Sequence, residues 1–207
     1  MGELVADLSN ITNDRADMNA RHEGIFRSAE EAITFACNYS SQQYAMSPMA
    51  KLLQGPARGS GRGLTGLDGA GQSGMVFREL ETLDYWQMLA LVAGKAIRSE
   101  SCNCLSPCCR GWRMTELFRE SVSQLADQVA REARDVLPVK AFRVAVLRKH
   151  FGDKIHVLDE AEKLGIDEHP ANRHATTIRK WIRELEKKGL TALSERLDAV
   201  GMLVRTT

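Results

Sequence analysis

Apolar residues recur at intervals of three and four positions over much of the chain, which is the pattern of helices with one buried face. The clearest example lies between residues 83 and 97, at Leu83, Trp86, Ala90, Ala93 and Ile97. Similar series run over 118–136 and 139–151. Runs of Val, Ile and Thr are few, and aromatic residues make up only 6% of the chain. We therefore predict an all-α fold, a helical bundle rather than a sheet structure.

The 207 residues divide into five parts by composition and periodicity. The predicted parts are 1–20, a flexible polar lead; 21–54, an N-terminal helix; 55–74, a glycine-rich loop; 75–138, a helical region with a cysteine knuckle at 101–111; and 139–207, a helix-turn-helix region. Ser28 and Glu31 have the spacing of a capping box, which predicts the start of the N-terminal helix. That helix is expected to run to about residue 44 or 46.

The loop at 55–74 is predicted from its glycines, which number eight of twenty residues. Glycine loses the most backbone entropy on folding, so this density favours a loop. Gly69, Gly71 and Gly74 spell G-x-G-x-x-G, but no strand precedes them and positions 90–98 contain no acidic residue. A dinucleotide site is therefore not predicted.

The net charge of +1 excludes a uniformly basic surface, yet the charges are unevenly distributed. Residues 1–54 carry four basic and seven acidic side chains, whereas 169–190 carry six basic and two acidic ones. No stretch approaches the roughly 20 apolar residues that span a bilayer, and the N-terminus has no apolar signal region. The expectation is a cytoplasmic protein without membrane contact and with one basic element.

Residues 154–167 resemble the first helix and turn of a helix-turn-helix motif. Ala161 is small where a second helix must cross, and Gly165 suits a turn with positive φ. Leu158 and Leu164 are expected to face inward with Ala161. The connection GIDEHPANRH is longer than the usual three or four residues, which predicts either an extended turn or two stacked helices.

The candidate recognition helix spans about 172–188, with Gly189 as its C-cap. At 100° per residue, one face is apolar, with Ile178, Trp181, Ile182 and Leu185. The opposite face and its edges carry the predicted DNA-binding residues, Asn172, Arg173, Thr176, Arg179, Lys180, Arg183 and Lys187. These residue types contact phosphates and base edges of double-stranded DNA. The alternative is an ordinary solvated face.

Four of the five cysteines lie within eight residues, at Cys102, Cys104, Cys108 and Cys109. Four thiolates can hold one structural Zn2+ tetrahedrally, so we predict a zinc knuckle. Reduced, unligated cysteines and redox chemistry are the alternatives. His169 and His174 are expected to be surface or phosphate-contact residues, and Cys37 a small buried side chain.

No catalytic motif is recognisable, so an enzyme is not expected.

The order of four segments is distinctive: FRSAEEAITFACNYSSQQYAMSPMAKLLQG, then GLDGAGQSGM, then C-x-C and PCC-x-G, then the helix-turn-helix. Over most of residues 18–190 it resembles phage and prophage DNA-binding regulators, including late-gene antitermination (Q-type) proteins. The resemblance implies promoter-proximal DNA binding, capture of paused RNA polymerase, and zinc ligation by the four clustered cysteines. Better-known antiterminators differ in using two separated C-x2-C pairs. The main alternative is a zinc-stabilised helical protein-interaction module without DNA binding.

Overall fold

The computed structural model describes residues 24–44, 66–102, 104, 111–133 and 136–204. Its helices are α1 (Ala29–Tyr44), α2 (Gly66–Glu81), α3 (Tyr85–Lys95), α4 (Glu116–Glu132), α5 (Lys140–His150), α6 (Val157–Lys163) and α7 (Glu168–Ala199). Its strands are β1 (Ser99–Ser101) and β2 (Trp112–Met114). The prediction of a mainly helical fold is confirmed. The predicted lead at 1–20 and the first part of the predicted loop, 55–65, lie outside the described residues.

The start of α1 has one of the two hydrogen bonds of a capping box, and a second bond from Glu31 to the residue before the N-cap. Ser28 Oγ accepts a hydrogen bond from Glu31 N at 3.2 Å, and the Glu31 carboxylate accepts one from Arg27 N at 2.7 Å. The first bond satisfies a backbone donor for which the helix start has no internal acceptor, and the second holds the residue before the N-cap against the first turn. The helix therefore begins where the sequence predicts.

Residues 66–74 form the first half of α2, so the loop prediction is wrong for them. The inward face of α2 contains Ser73, which donates to a backbone carbonyl of α1 at 3.3 Å, and Leu80, which is fully buried. Gly71 and Gly74 are exposed, and a Cβ on either would meet nothing within 4 Å. Each glycine costs about 1 kcal/mol relative to alanine in a helix, which packing against α1 offsets.

A two-stranded antiparallel hairpin interrupts the helices around the cysteine segment. Its paired residues are Ser99 with Met114, Glu100 with Arg113, and Ser101 with Trp112. Each strand has only three residues, which is too short for alternating polarity to be recognised. The helical prediction for 75–138 is therefore corrected at these two strands.

The last helix, α7, is 32 residues long and continues through the predicted C-cap at Gly189. Gly189 is buried, and a Cβ there would lie 3.1 Å from Leu91 Cδ1 of α3. The glycine thus permits two helices to approach closely instead of ending one. Beyond it, Leu193 and Leu197 are fully buried. The predicted helix at 172–188 is therefore too short at both ends.

Two buried apolar clusters hold the helices together, and α7 belongs to both. The first contains residues of the five helices α3, α4, α5, α6 and α7, among them Phe118, Phe142 and Ile178. The second joins α1, α2, part of α3 and the end of α7, and includes Ile33 and Leu197. Among the described residues, no helix is both long enough and apolar enough to cross a membrane.

The two ends of the described chain are paired with each other. Phe26 N donates to Met202 O at 3.0 Å, and Val204 N donates to Phe26 O at 2.8 Å. Gly24 lies so close to the backbone of Leu203 that a Cβ would overlap the Leu203 carbonyl. The segment before α1 is therefore fixed to the segment after α7.

Candidate nucleic-acid interface

A connection of four residues, 164–167, joins α6 to α7. Gly165 has a φ of +68°, the left-handed conformation expected of a glycine in this turn. The prediction of a ten-residue connection is wrong because α7 already begins at Glu168. Pro170 lies in the first turn of α7, where a proline is tolerated because the missing N–H would have no internal acceptor. The connection thus has the usual length for two helices joined by a tight turn.

The buried face of α6 consists of Val157 and Ala161, one helical turn apart. Ala161 is 1% exposed, as its small side chain predicts. Leu158 and Leu164 are 39% and 38% exposed, so the prediction that they face inward is wrong. Leu158 is rotated by about 100° from Val157 on α6, and Leu164 lies after the helix ends at Lys163, so neither continues the buried face.

The helices α5, α6 and α7 each contact the other two. Phe142 of α5, Ala161 of α6, and Ala175 and Ile178 of α7 belong to one buried cluster. A short helix, a four-residue turn and a long helix therefore rest on a third helix. This packing covers one side of the first half of α7 and leaves the other side exposed.

The exposed side of α7 carries the polar residues that the sequence predicts there. We call the following seven residues the basic stripe: Asn172, Arg173, Thr176, Arg179, Lys180, Arg183 and Lys187. All are exposed except Arg179, which is half-buried at the edge. Ile178 and Ile182, on the opposite side, are fully buried. Arg173 and Lys187 are separated by about four turns, so the stripe is about 21 Å long.

None of the five cations in the basic stripe forms an ion pair with any described carboxylate. Outside α7, six basic residues each have such a partner: Lys95, Arg113, Arg119, Lys140, Arg148 and Lys163. A set of like charges that is not neutralised within the protein attracts an external anion. The electrostatics of α7 therefore favour a polyanionic partner.

The hydroxyl of Thr176 is already used within the helix. Thr176 Oγ1 donates to Asn172 O at 2.9 Å. The side chain can therefore offer oxygen lone pairs and a methyl group to a partner, but not its hydroxyl proton. A methyl group at this position can contact the methyl group of thymine.

Glu186 does not neutralise the basic stripe, because its carboxylate is directed to α5. Glu186 Oε2 lies 2.8 Å from His150 Nε2, and the two side chains are 25% and 13% exposed. A cavity of about 260 Å3 adjoins this pair and is also lined by Gly94, Lys95 and Phe151. The pair joins the middle of α7 to the end of α5, on the side of α7 that faces the protein rather than the side that carries the basic stripe.

Because the predicted helix starts at residue 172, it leaves out Glu168 and His169, although the expectation that His169 is a surface residue is correct. Both are exposed in the first turn of α7. His174, by contrast, is only 7% exposed, so its prediction as a surface residue is wrong. His169 and His174 are five positions apart, which places their side chains about 140° from each other around the helix axis. The two histidines therefore lie on different faces of α7 and cannot bind one metal ion.

The hairpin brings together the ends of the cysteine segment. Cys102 N donates to Gly111 O at 2.8 Å, and Gly111 has a φ of +82°. Cys102 is half-buried and Cys104 is exposed. Cys108 and Cys109 lie outside the described residues. Within the described ranges, no group of three or more His, Cys, Asp or Glu side chains has the arrangement of a metal site.

Arg113 of β2 lies in the electrostatic range of both described cysteines of this segment. Its pKa is raised mainly by the hydrogen bond to Glu100 and by the charge of Glu100. Cys102 and Cys104 contribute in the same direction, to a smaller extent. The guanidinium of Arg113 thus places a positive charge beside the cysteine segment.

Comparison of the chain with models of protein families, with curated proteins and with solved structures finds no match.

Proposed function

We propose that the protein is a DNA-binding transcription regulator in which α6 and α7 act as a helix-turn-helix and α7 is the recognition helix. The observation that carries the proposal is the basic stripe, whose five cations have no ion-pair partner among the described residues. The four-residue turn with its positive-φ Gly165 supports the motif. Double-stranded DNA is a polyanion whose major groove is wide enough to admit an α-helix.

The two ends of the basic stripe have different roles in this proposal. In helix-turn-helix proteins, the N-terminal residues of the second helix contact base edges. Asn172, Arg173 and Thr176 therefore supply specificity. Lys180 and Arg183, farther along α7, contact phosphates with Lys187 and supply affinity that does not depend on sequence.

A structural Zn2+ in the cysteine segment is a second part of the proposal. The pairing of β1 with β2 supports it, because the hairpin closes a loop whose sequence contains all four clustered cysteines. Cys102, Cys104, Cys108 and Cys109 would be the ligands. The metal would hold together a segment that two three-residue strands stabilise only weakly.

Action on RNA polymerase, as a late-gene antiterminator, is supported only by the sequence resemblance. A helical protein-interaction module without DNA binding is the competing function. The exposed Trp112, 63% accessible on the hairpin, is the observation that favours a protein partner. A protein contact at the hairpin and a DNA contact at α7 are compatible, because they use different elements.

A mobility-shift experiment with random-sequence duplex DNA at low salt tests the proposal. We expect retarded complexes with DNA alone. Selection of genomic fragments with and without RNA polymerase then identifies the target and any effect of the polymerase on binding. Absence of any shift at low salt would reject DNA binding and leave the protein-interaction module.

A further inference from the structure

Glu168 is the single acidic residue in the first three turns of α7, and it occurs beside the residues assigned to base contacts. Its neighbours there include His169, Asn172, Arg173 and Thr176. Glu168 is exposed and forms no ion pair with a described residue. An acidic residue at a helix start interacts favourably with the helix dipole. Close to DNA phosphates, however, the same charge opposes binding.

The position of Glu168 on the helix is close to that of Asn172. The two residues are four positions apart, so their side chains lie on the same side of α7. If α7 enters the major groove with its N-terminus first, both side chains reach neighbouring base edges. The corrected start of α7, four residues earlier than the sequence predicts, is what brings Glu168 into this surface.

A carboxylate can only accept hydrogen bonds, and the major groove presents few donors. These donors are the amino groups of cytosine N4 and adenine N6, and Glu or Asp pairs typically with cytosine. A site that places guanine or thymine opposite the carboxylate leaves it without a partner and near phosphates. The side chain therefore penalises wrong sequences as well as rewarding the right one.

We propose that Glu168 is a specificity-determining residue that accepts a hydrogen bond from the N4 amino group of a cytosine in the target site. This inference rests on the proposed DNA binding. It assigns to one acidic side chain the preference at one base pair. The cations of the basic stripe retain their role in overall affinity.

The test is selection of binding sites from a randomised duplex DNA library by the full-length protein and by its variants. We expect the wild-type motif to contain a cytosine whose replacement weakens binding about tenfold. Glu168→Ala should remove the preference at that position and leave the others. Glu168→Gln should shift it towards adenine, because glutamine pairs with adenine N6 and N7.

Glu184→Gln is the matched control, because Glu184 is an exposed carboxylate on the same helix, about four and a half turns farther along and away from the residues assigned to base contacts. It removes the same charge and should strengthen binding to all sequences without changing the motif. Unchanged motifs for both Glu168 variants would overturn this inference alone. Failure of the wild-type protein to bind duplex DNA would overturn both this inference and the proposed function. Circular dichroism and thermal unfolding establish that each variant is folded.

Discussion

Gly189 of α7 and Leu91 of α3 meet where the two helices cross, and a Cβ on Gly189 would lie 3.1 Å from Leu91 Cδ1. It would also lie 3.2 Å from Gln87 Cβ, which is attached directly to the α3 backbone and cannot move aside. Alanine gains about 1 kcal/mol over glycine in a helix, but crowding a packed interface costs about 1–3 kcal/mol. We therefore expect Gly189→Ala to lower the free energy of unfolding by about 1 kcal/mol in urea denaturation.

Gly94→Ala is the matched control for this substitution. The nearest atom to its added Cβ is Glu186 Oε1 at 3.4 Å, and the nearest Phe151 atom lies at 3.8 Å. These are ordinary contacts, so the helix propensity of alanine should leave stability unchanged or raise it by up to about 1 kcal/mol. Equal losses for both variants would contradict a specific close approach at Gly189.

The same glycine shows why the length of α7 is difficult to predict from the sequence. A glycine after two lysines is a common helix end, and the alternative depends on a contact with α3, nearly a hundred residues earlier. Local patterns indicate the buried positions Ile178 and Ile182 correctly, because periodicity reports one face of a helix. They do not report which distant element packs against that face. Glu168 is missed for a related reason. Pro170, two residues later, is as typical of a loop as of the first turn of a helix, so the sequence alone does not show that the helix has already begun.

Other parts of the fold follow from local signals. Ser28 and Glu31 predict the start of α1, and Gly165 and Ala161 predict the turn and the close contact of α6. The hairpin is not predicted, since its three-residue strands depend on pairing between Ser101 and Trp112 across the cysteine segment. Charge pairing is equally non-local, so the sequence predicts a basic face on α7 but not that its cations have no ion pair with any carboxylate in the described ranges.

A buried arginine links α5 to α4 and to the segment between them. Arg143 is 5% exposed; its Nε donates to Ala126 O and its Nη1 to Leu137 O, both at 2.7 Å. Arg143→Met would leave two carbonyls without these donors, so we expect a loss of about 2–4 kcal/mol. Lys140→Met removes the exposed pair with Asp127 and should cost less than about 1 kcal/mol. If chemical denaturation shows the same loss of unfolding free energy for Arg143→Met and Lys140→Met, the hydrogen bonds of the buried Arg143 do not contribute as described.

The buried thiol of Cys37 should make stability depend on alkaline pH. Burial raises the pKa of Cys37 from 9.0 to about 11. Below pH 9 the thiol is protonated in both states, so its contribution is fully present. Between about pH 9 and 11 the unfolded chain ionises first, and the free energy of unfolding falls by about 1.4 kcal/mol per pH unit. This fall should be absent in Cys37→Ala, and parallel pH curves for the two proteins would refute it.

The proposed zinc site predicts one Zn2+ per chain with sulfur ligands at about 2.3 Å in X-ray absorption spectra. Cys102→Ser and Cys104→Ser should each lower the zinc content, whereas Cys37→Ser should not. Removal of zinc should disorder the hairpin while the helical circular dichroism signal is largely retained. A chain purified without zinc, and with four freely titratable clustered thiols, would favour the reduced, unligated alternative.

The salt dependence of DNA binding tests the central claim most directly. We expect log K to fall linearly with log salt concentration, because phosphate neutralisation releases counterions. Replacing Lys180, Arg183 and Lys187 together with glutamine should make that slope shallower by about 2.7, or about 0.9 for each lost contact.

The control replaces three paired cations outside α7 with glutamine and changes the net charge by the same amount. These cations are Lys95, Arg119 and Lys140, none of which lies in α6 or α7. In fluorescence anisotropy titrations with duplex DNA, the account predicts a shallower slope for the α7 variant and a nearly wild-type slope for the control. Equal slopes for the wild-type protein and both variants would contradict α7 as the DNA-binding element.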